Sequence, residues 1–551
     1  MEMNWIILLV ASPMFAGIAT TCLRGNITSQ RLVGLASLIA CVTMSLVWLL
    51  ALQPGGIFVQ QIGGWSAPFG ITVVFDSLSG VLLVAANLVG LAAYIHAFGS
   101  LRPRTEKGWF HPLFHLLMMG VNYAFITGDL FNLFVAFEIM LMSSYALLCI
   151  SATREQLAQT YKYVMLNLIG STFFVLGAGL VYGMMGTLNY ADLARIVSET
   201  VYSGAALPTG FFAVSVMLVF VFALKAAIFP LWFWLPDTYH TSPIAICALF
   251  SGLLTKVGIY AMCRLYPMIF AAPGVRELSD NWLPTVLAYG AGATMLLGIL
   301  AALPLTNIRR ILACVLVSHM GYLIFGVVLL TDASLSGTLF YMAQHMLVMT
   351  ALFLCCGLIE IKAGSDDLSK IGGLCKGSPW LGALFLIAAM SLVGLPPFSG
   401  FYGKVLILGE GVRIGGITNW ALTGIGLLTG VLTLVVMAKV WALAFWSPPK
   451  STRSSTAFPS ARLLAARTRP GYIAVILLVT ASLTIGLGAG TAMTITDGAT
   501  ANLSQPTMYV NAVFQRTVFP PAATALLRAS NEAHAEAAEA RAELEHEEAE
   551  R

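Results

Sequence analysis

The chain has 551 residues, of which 58% are hydrophobic and only 10% charged. A soluble domain carries about 25% charged residues, so water is not the main solvent here. The net charge of +4 says little by itself, and nine scattered cysteines form no C-x-x-C pair of the kind used for zinc or iron–sulfur binding. With no Gly-rich phosphate loop, dinucleotide fingerprint or nucleophile elbow in the sequence, a redox or hydrolytic enzyme is not expected. Neither is a cofactor, a metal site or a nucleic-acid partner.

Apolar runs of about 20 residues, each able to cross roughly 30 Å of hydrocarbon, recur from end to end. The first, Trp5 to Leu23, lacks a basic leader and a clear small-residue cleavage site, and reads as a span, not a signal peptide. About fourteen spans are expected, near 4–23, 32–52, 76–97, 110–127, 130–150, 162–186, 209–230, 243–265, 284–303, 309–331, 336–361, 379–414 (interrupted), 419–446 and 470–495. The chain thus reads as an all-α polytopic membrane protein. Its parts are an N-terminal group (1–108) with an outer hairpin at 51–75, two five-span units (109–266 and 284–446), a C-terminal span (470–495) and an acidic polar tail (505–551).

Loop charges orient this arrangement. Arg24, Arg31, Arg102, Arg104, Lys107, Arg154, Lys162, Arg309, Arg310, Lys362, Lys370 and Lys376 fall on one side, with the basic run from Lys450 to Arg469. The opposite loops carry only Arg195, Arg264, Arg276 and Arg413. Positive-inside logic puts the N-terminus outside. Between spans, 190–202 sets Leu193, Ile196, Val197 and Val201 at helical spacing, as in an interfacial helix. The tail beyond Pro521 holds eight glutamates between Glu532 and Glu550, and reads as a solvated acidic segment.

Buried charge carries the functional signal. Lys225, Lys256, Lys404 and Lys439 lie within apolar spans, and Glu138 sits near the middle of the fifth. Each charge at mid-bilayer costs about 2.5–3.5 kcal/mol or more, so several together mark an ion or proton path. Lys439 lies about two turns from a basic span end, where snorkelling to the interface is as good an explanation as a relay role. Asp76, Asp129 and Glu410 read as anchors or caps at span ends. His319 and His345 fall inside neighbouring spans and join the lysines as relay candidates, because imidazole changes charge near neutral pH.

Two spans must break. Pro230 cannot donate to the carbonyl of Ala226 and crowds it, so the seventh span kinks or ends there. The twelfth contains Gly394-Leu-Pro-Pro397 just before Lys404. Unwound backbone at membrane depth survives only inside protein or beside water. Lys225 and Lys404 lie 179 positions apart; the same offset carries Glu138 to within two residues of His319 and Lys256 to within about a turn of Lys439. Each break is fourth in its unit, and an odd number of spans per unit makes the two units inverted repeats.

Several motifs resemble the D subunit of Mrp-type multisubunit sodium/proton antiporters, a family related to the antiporter-like subunits of respiratory complex I. They are Gly64-Trp-Ser-Ala-Pro-Phe-Gly70, His111-Pro-Leu-Phe-His-Leu-Leu-Met-Met119, Gly128-Asp-Leu-Phe-Asn-Leu-Phe-Val-Ala-Phe-Glu138, Leu224-Lys-Ala-Ala-Ile-Phe-Pro-Leu-Trp-Phe-Trp-Leu-Pro236 and Lys256-Val-Gly-Ile-Tyr260. The resemblance covers roughly residues 1–495. It implies fourteen helices with two inverted five-helix repeats, and a Glu138–Lys225 ion pair. It further implies a polar axis through Lys256, His319 and His345 to Lys404. It also implies other membrane subunits as partners, protons and sodium as substrates, and a bacterial plasma membrane as location. Where the family often has a lysine one turn after the second histidine, this chain has Met349.

The function expected is proton translocation within a cation/proton antiporter. Two rivals are a proton-pumping subunit of a complex I-like dehydrogenase or membrane hydrogenase, and a scaffold whose buried charges only hold subunits together. No cluster of intramembrane carboxylates suited to sodium is visible, so the cation rests on the resemblance alone.

Overall fold

A computed structural model of the chain describes residues 5–53, 55–272, 282–448, 461–504 and 506–515. Among them, ten helices are long and apolar enough to cross a membrane, with shorter apolar helices at Leu8–Cys22, Phe211–Lys225 and Pro379–Val393. The basic segment around Lys450 and Arg453, Arg276, and the acidic residues beyond 515 lie outside the described residues.

Polar caps set where many helices begin. The Asp129 carboxylate accepts from the Asn132 amide at 2.9 Å and starts Leu130–Leu148. Asn189 and Asn307 do the same for Tyr190–Tyr202 and Ile308–Leu329. Thr331 and Ser334 form a reciprocal pair at the head of Asp332–Ala363. That helix has 32 residues, and at about 1.5 Å per residue outspans the hydrocarbon layer.

Both expected breaks are present, one earlier than the sequence indicated. The helix Phe211–Lys225 stops five residues short of Pro230, and the chain resumes as Trp234–Tyr239 before Ile244–Leu265. The Ala226 carbonyl that Pro230 cannot satisfy lies at this end, and unwinding begins there. The freed amide of Phe229 donates to Thr294 on the helix Leu283–Ala302 at 2.8 Å. In the second break, Pro379–Val393 ends at Gly394, whose φ of +90° suits glycine, and Ser399–Ile414 follows.

Ile57–Ile62 pairs antiparallel with Ile71–Asp76, and Val73, Val74 and Phe75 are buried beneath the bundle end. The segment assigned from 505 to a polar tail contains instead a packed helix, Pro506–Phe514, which buries Tyr509, Val510 and Val513. Its apolar face leans on the hairpin, where Gln61 donates to the Val513 carbonyl at 3.4 Å. Arg264, placed by the sequence in a loop, is fully buried near the end of Ile244–Leu265. It forms a two-pronged ion pair with Asp76, at 2.5 and 2.8 Å, and takes Ser79 as a third partner. Asp76 also caps Ser77–Ser100 through the Ser79 amide, so one carboxylate joins hairpin, helix start and arginine.

Candidate functional site: a row of buried basic side chains

Glu138 is half-buried on Leu130–Leu148 and accepts a hydrogen bond from the Ser171 hydroxyl. Lys225 is the last residue of its helix, 4% exposed, and donates to the Asn167 side-chain oxygen at 2.9 Å. No ion pair within 4.0 Å joins the two among the described residues. The direct Glu138–Lys225 contact implied by the resemblance is therefore not made. Asn167 and Ser171 stand one turn apart on Arg154–Met185, a spacing that puts both on one face. Between them, a methyl group at Gly170 would fall 3.7 Å from Lys225 Cε and 3.8 Å from Nζ. This face supplies the two polar atoms that stand in for a direct contact. Charges left apart but individually hydrogen-bonded are easier to separate than a closed buried pair.

Lys256 lies on Ile244–Leu265, a helix buried along its whole length, and is itself fully buried. Its ammonium folds back to the Ser251 carbonyl of its own helix at 2.5 Å. One face of this helix meets the Lys225 break, where a Cβ at Gly258 would come within 2.9 Å of the Ala226 amide nitrogen. A Cβ at Gly252 would fall still closer, 2.4 Å from the Thr350 hydroxyl of Asp332–Ala363. Lys256 is thus on a helix that touches both halves of the row.

The second half begins with a cluster of rings. His319 on Ile308–Leu329 and His345 on Asp332–Ala363 stack with ring centres 5.4 Å apart. His319 Nδ1 is 2.5 Å from the Tyr341 hydroxyl, and its Nε2 is 3.4 Å from that of Thr433. Neither ring nitrogen of His345 has a hydrogen-bond partner among the described residues, though the residue is fully buried. Such groups are rare, because an unsatisfied buried polar atom costs about 1–3 kcal/mol. Lys404 completes the cluster, with Nζ 4.9 Å from the Tyr322 ring centre and 5.7 Å from that of Tyr341.

Lys404 is 6% exposed and donates to the carbonyls of Leu392 and Val393, at 3.0 and 2.8 Å. These are among the last carbonyls of Pro379–Val393, left without helical partners by the break at Gly394. A cation there also meets the negative end of the half-helix dipole. Lys439 behaves alike elsewhere, donating to the carbonyls of Leu303 and Leu305 at 2.7 and 2.8 Å, just past Leu283–Ala302. Its half-buried ammonium is thus held at a different helix end from the one Lys404 caps.

Sequence reasoning missed Asn167, Ser171, Tyr322 and Tyr341. The first two left a faint signal, a pair of polar side chains one turn apart in an apolar run. The tyrosines left none, since either would serve as an ordinary aromatic core residue.

Comparison with known proteins decides the family. The model of the NADH:quinone oxidoreductase/Mrp antiporter transmembrane family matches residues 127–433, more than half of the chain. The D subunit of the Na(+)/H(+) antiporter of Alkalihalophilus pseudofirmus is 36% identical over 513 residues, spanning 93% of this chain and 99% of that protein. The chain belongs to this family, among its D subunits. A chain in the solved Mrp complex from Dietzia sp. superposes on 93% of this one and 99% of its own length, with a TM-score of 0.81 and 30% identity. The family fold is also present in an archaeal membrane-bound sulfane sulfur reductase, with a TM-score of 0.81 at 25% identity, over 93% of this chain and all of that one. Glu138, Lys225, Lys256, His319, His345 and Lys404 all fall inside the stretch matched by the family model, and Lys439 just outside it.

Proposed function

We propose that the chain is the proton-translocating subunit of a multisubunit sodium/proton antiporter, and that protons pass along Glu138, Lys225, Lys256, His345, His319 and Lys404. The observation that carries this reading is the row of buried bases whose two ends, Lys225 and Lys404, each sit at a broken helix. Unwound backbone at membrane depth is kept where it is shielded by protein or wetted, and a base beside it can exchange a proton with a hydrated chamber. Lys225 holds Asn167 while Glu138 holds Ser171. Closing that gap favours the protonated lysine, and opening it releases the proton towards Lys256.

Beyond this, the reading takes the family arrangement as a whole: fourteen spans, inverted repeats around the two breaks, an N-terminus on the outer face, and neighbouring membrane subunits that complete the sodium route. Lys439 is left out of the path as an end cap for Leu283–Ala302. A second reading, as part of a redox-driven respiratory complex, draws on the similarity to the sulfane sulfur reductase. The discriminating test is sodium-dependent dissipation of a pH gradient in vesicles, with the whole complex and no electron donor. Exchange that is lost in Lys225→Ala supports the antiporter. Exchange that persists in Lys225→Ala removes the relay, and none in the wild type favours the redox-driven complex.

A further inference from the structure

The motif His111-Pro-Leu-Phe-His115 plays no part in the lysine row, yet it lies in a second buried network. Glu106, 1% exposed, is held by Arg31 through both carboxylate oxygens, at 2.6 and 2.7 Å. The same carboxylate lies 3.7 Å from His111 Nε2. The other ring nitrogen, Nδ1, is 2.6 Å from the Tyr94 hydroxyl, which is also 3.1 Å from the Gln30 carbonyl. Beyond Tyr94 comes His115, fully buried, with neither ring nitrogen partnered among the described residues. A methyl-sized point above Gly34 lies 1.9 Å from the Tyr94 hydroxyl and 2.6 Å from His115 Nε2, so those two groups are neighbours.

This geometry has two hydrogen-bond patterns around the Tyr94–His111 contact that differ by one proton. With His111 neutral, Tyr94 donates to Nδ1 and the Nε2–H faces Glu106. With one more proton, the hydroxyl turns to the Gln30 carbonyl, Nδ1–H donates to Tyr94, and the imidazolium faces the Glu106 carboxylate. Both patterns keep the Tyr94–His111 hydrogen bond while Nε2 stays 3.7 Å from Glu106, an electrostatic contact beyond direct hydrogen-bond distance, and only a hydroxyl has to rotate. We propose that Glu106, His111 and Tyr94 form a proton-binding site separate from the lysine row, loaded from the side where half-buried Arg31 reaches the surface, with His115 as its inner neighbour.

The groups around His111 are few. The helix Ile27–Ala51 contributes Arg31, Ser77–Ser100 contributes Tyr94, the preceding turn contributes Glu106, and its own helix contributes His115. The helix Leu8–Cys22, whose Gly17 packs on the Pro112 carbonyl and His115 Cβ, has no Asp, Glu, Lys, Arg or His. Among the described residues no group of three or more His, Cys, Asp or Glu is arranged to hold a metal ion. A proton is the ligand the site fits.

The test is infrared difference spectroscopy on the purified whole complex with isotope-labelled histidine, between about pH 8 and about pH 3, a window wide enough for an imidazole displaced by its surroundings. The wild type is expected to show an imidazole-to-imidazolium change that is reduced by one residue in His111→Gln. Tyr94→Phe, which keeps volume and imidazole but removes the rotating hydroxyl, is expected to move the midpoint of that change. It carries the test alone if His111→Gln fails to assemble. A signal undiminished in His111→Gln, or a midpoint unmoved in Tyr94→Phe, overturns the proposal. The readout needs neither sodium nor exchange, so it stands or falls independently of the lysine row.

Discussion

Replacing Lys404 separates a working base from a structural cap. Its ammonium makes two hydrogen bonds to the carbonyls of Leu392 and Val393, and bonds to a charged group are worth about 1.5–3 kcal/mol each. Together they hold the broken helix end by roughly 3–6 kcal/mol. Lys404→Met, close in volume, leaves both carbonyls unsatisfied and should weaken the assembled complex by up to roughly that amount, with enough left to assay. Its antiport should nevertheless be lost. Lys404→Arg sharpens the comparison, because a guanidinium keeps its charge at all working pH and still caps the carbonyls, but cannot release a proton. The assay is sodium-driven proton movement in vesicles, beside gel filtration of the solubilised complex. Assembled but inactive variants support a titrating lysine. Wild-type exchange in Lys404→Arg would refute that reasoning, since a fixed charge would then suffice.

Other outcomes follow from single contacts. Asn167→Leu removes the hydrogen-bond acceptor of Lys225 and should lower the initial antiport rate about tenfold, equivalent to about 1.4 kcal/mol; an unchanged rate would show that Asn167 is a bystander. Tyr341→Phe keeps the ring but deletes the hydroxyl 2.5 Å from His319; at about 1 kcal/mol for one hydrogen bond, exchange should slow several-fold, and a normal rate would remove Tyr341 from the path. Arg264→Met strands Asp76 in a buried site, which costs about 3–5 kcal/mol. It should cut the amount of complex in membranes, with partial recovery on adding Asp76→Asn. Normal abundance in the single variant would contradict the pair's structural role.

Composition and run length were enough for the membrane class, because a 20-residue apolar stretch has few other fates. The breaks were legible too, since Pro230 and Gly394-Leu-Pro-Pro397 disrupt helices by local sterics. Long-range partners were not. Arg264 looked like a loop charge because it closes an apolar run, and its partner Asp76 is 188 positions away. The spacing of Lys439 from a basic span end left snorkelling and a relay role equally open, and the carbonyls it holds, 136 and 134 positions earlier, could not be read from it. A direct Glu138–Lys225 pair was implied by the family resemblance alone. The intervening Asn167 and Ser171 carry no charge to announce themselves. Nor did spacing reveal that His111 and Tyr94 would meet, on helices joined by an irregular turn.

The account depends most on continuity between Lys225 and Lys256, and between Lys256 and His345, where no direct hydrogen bond links the side chains among the described residues. An experimental map of the assembled complex that resolves ordered water measures this directly. Water molecules bridging both gaps at hydrogen-bond distance are the predicted result. Apolar side chains packed across either gap, with no water between the bases, would contradict it.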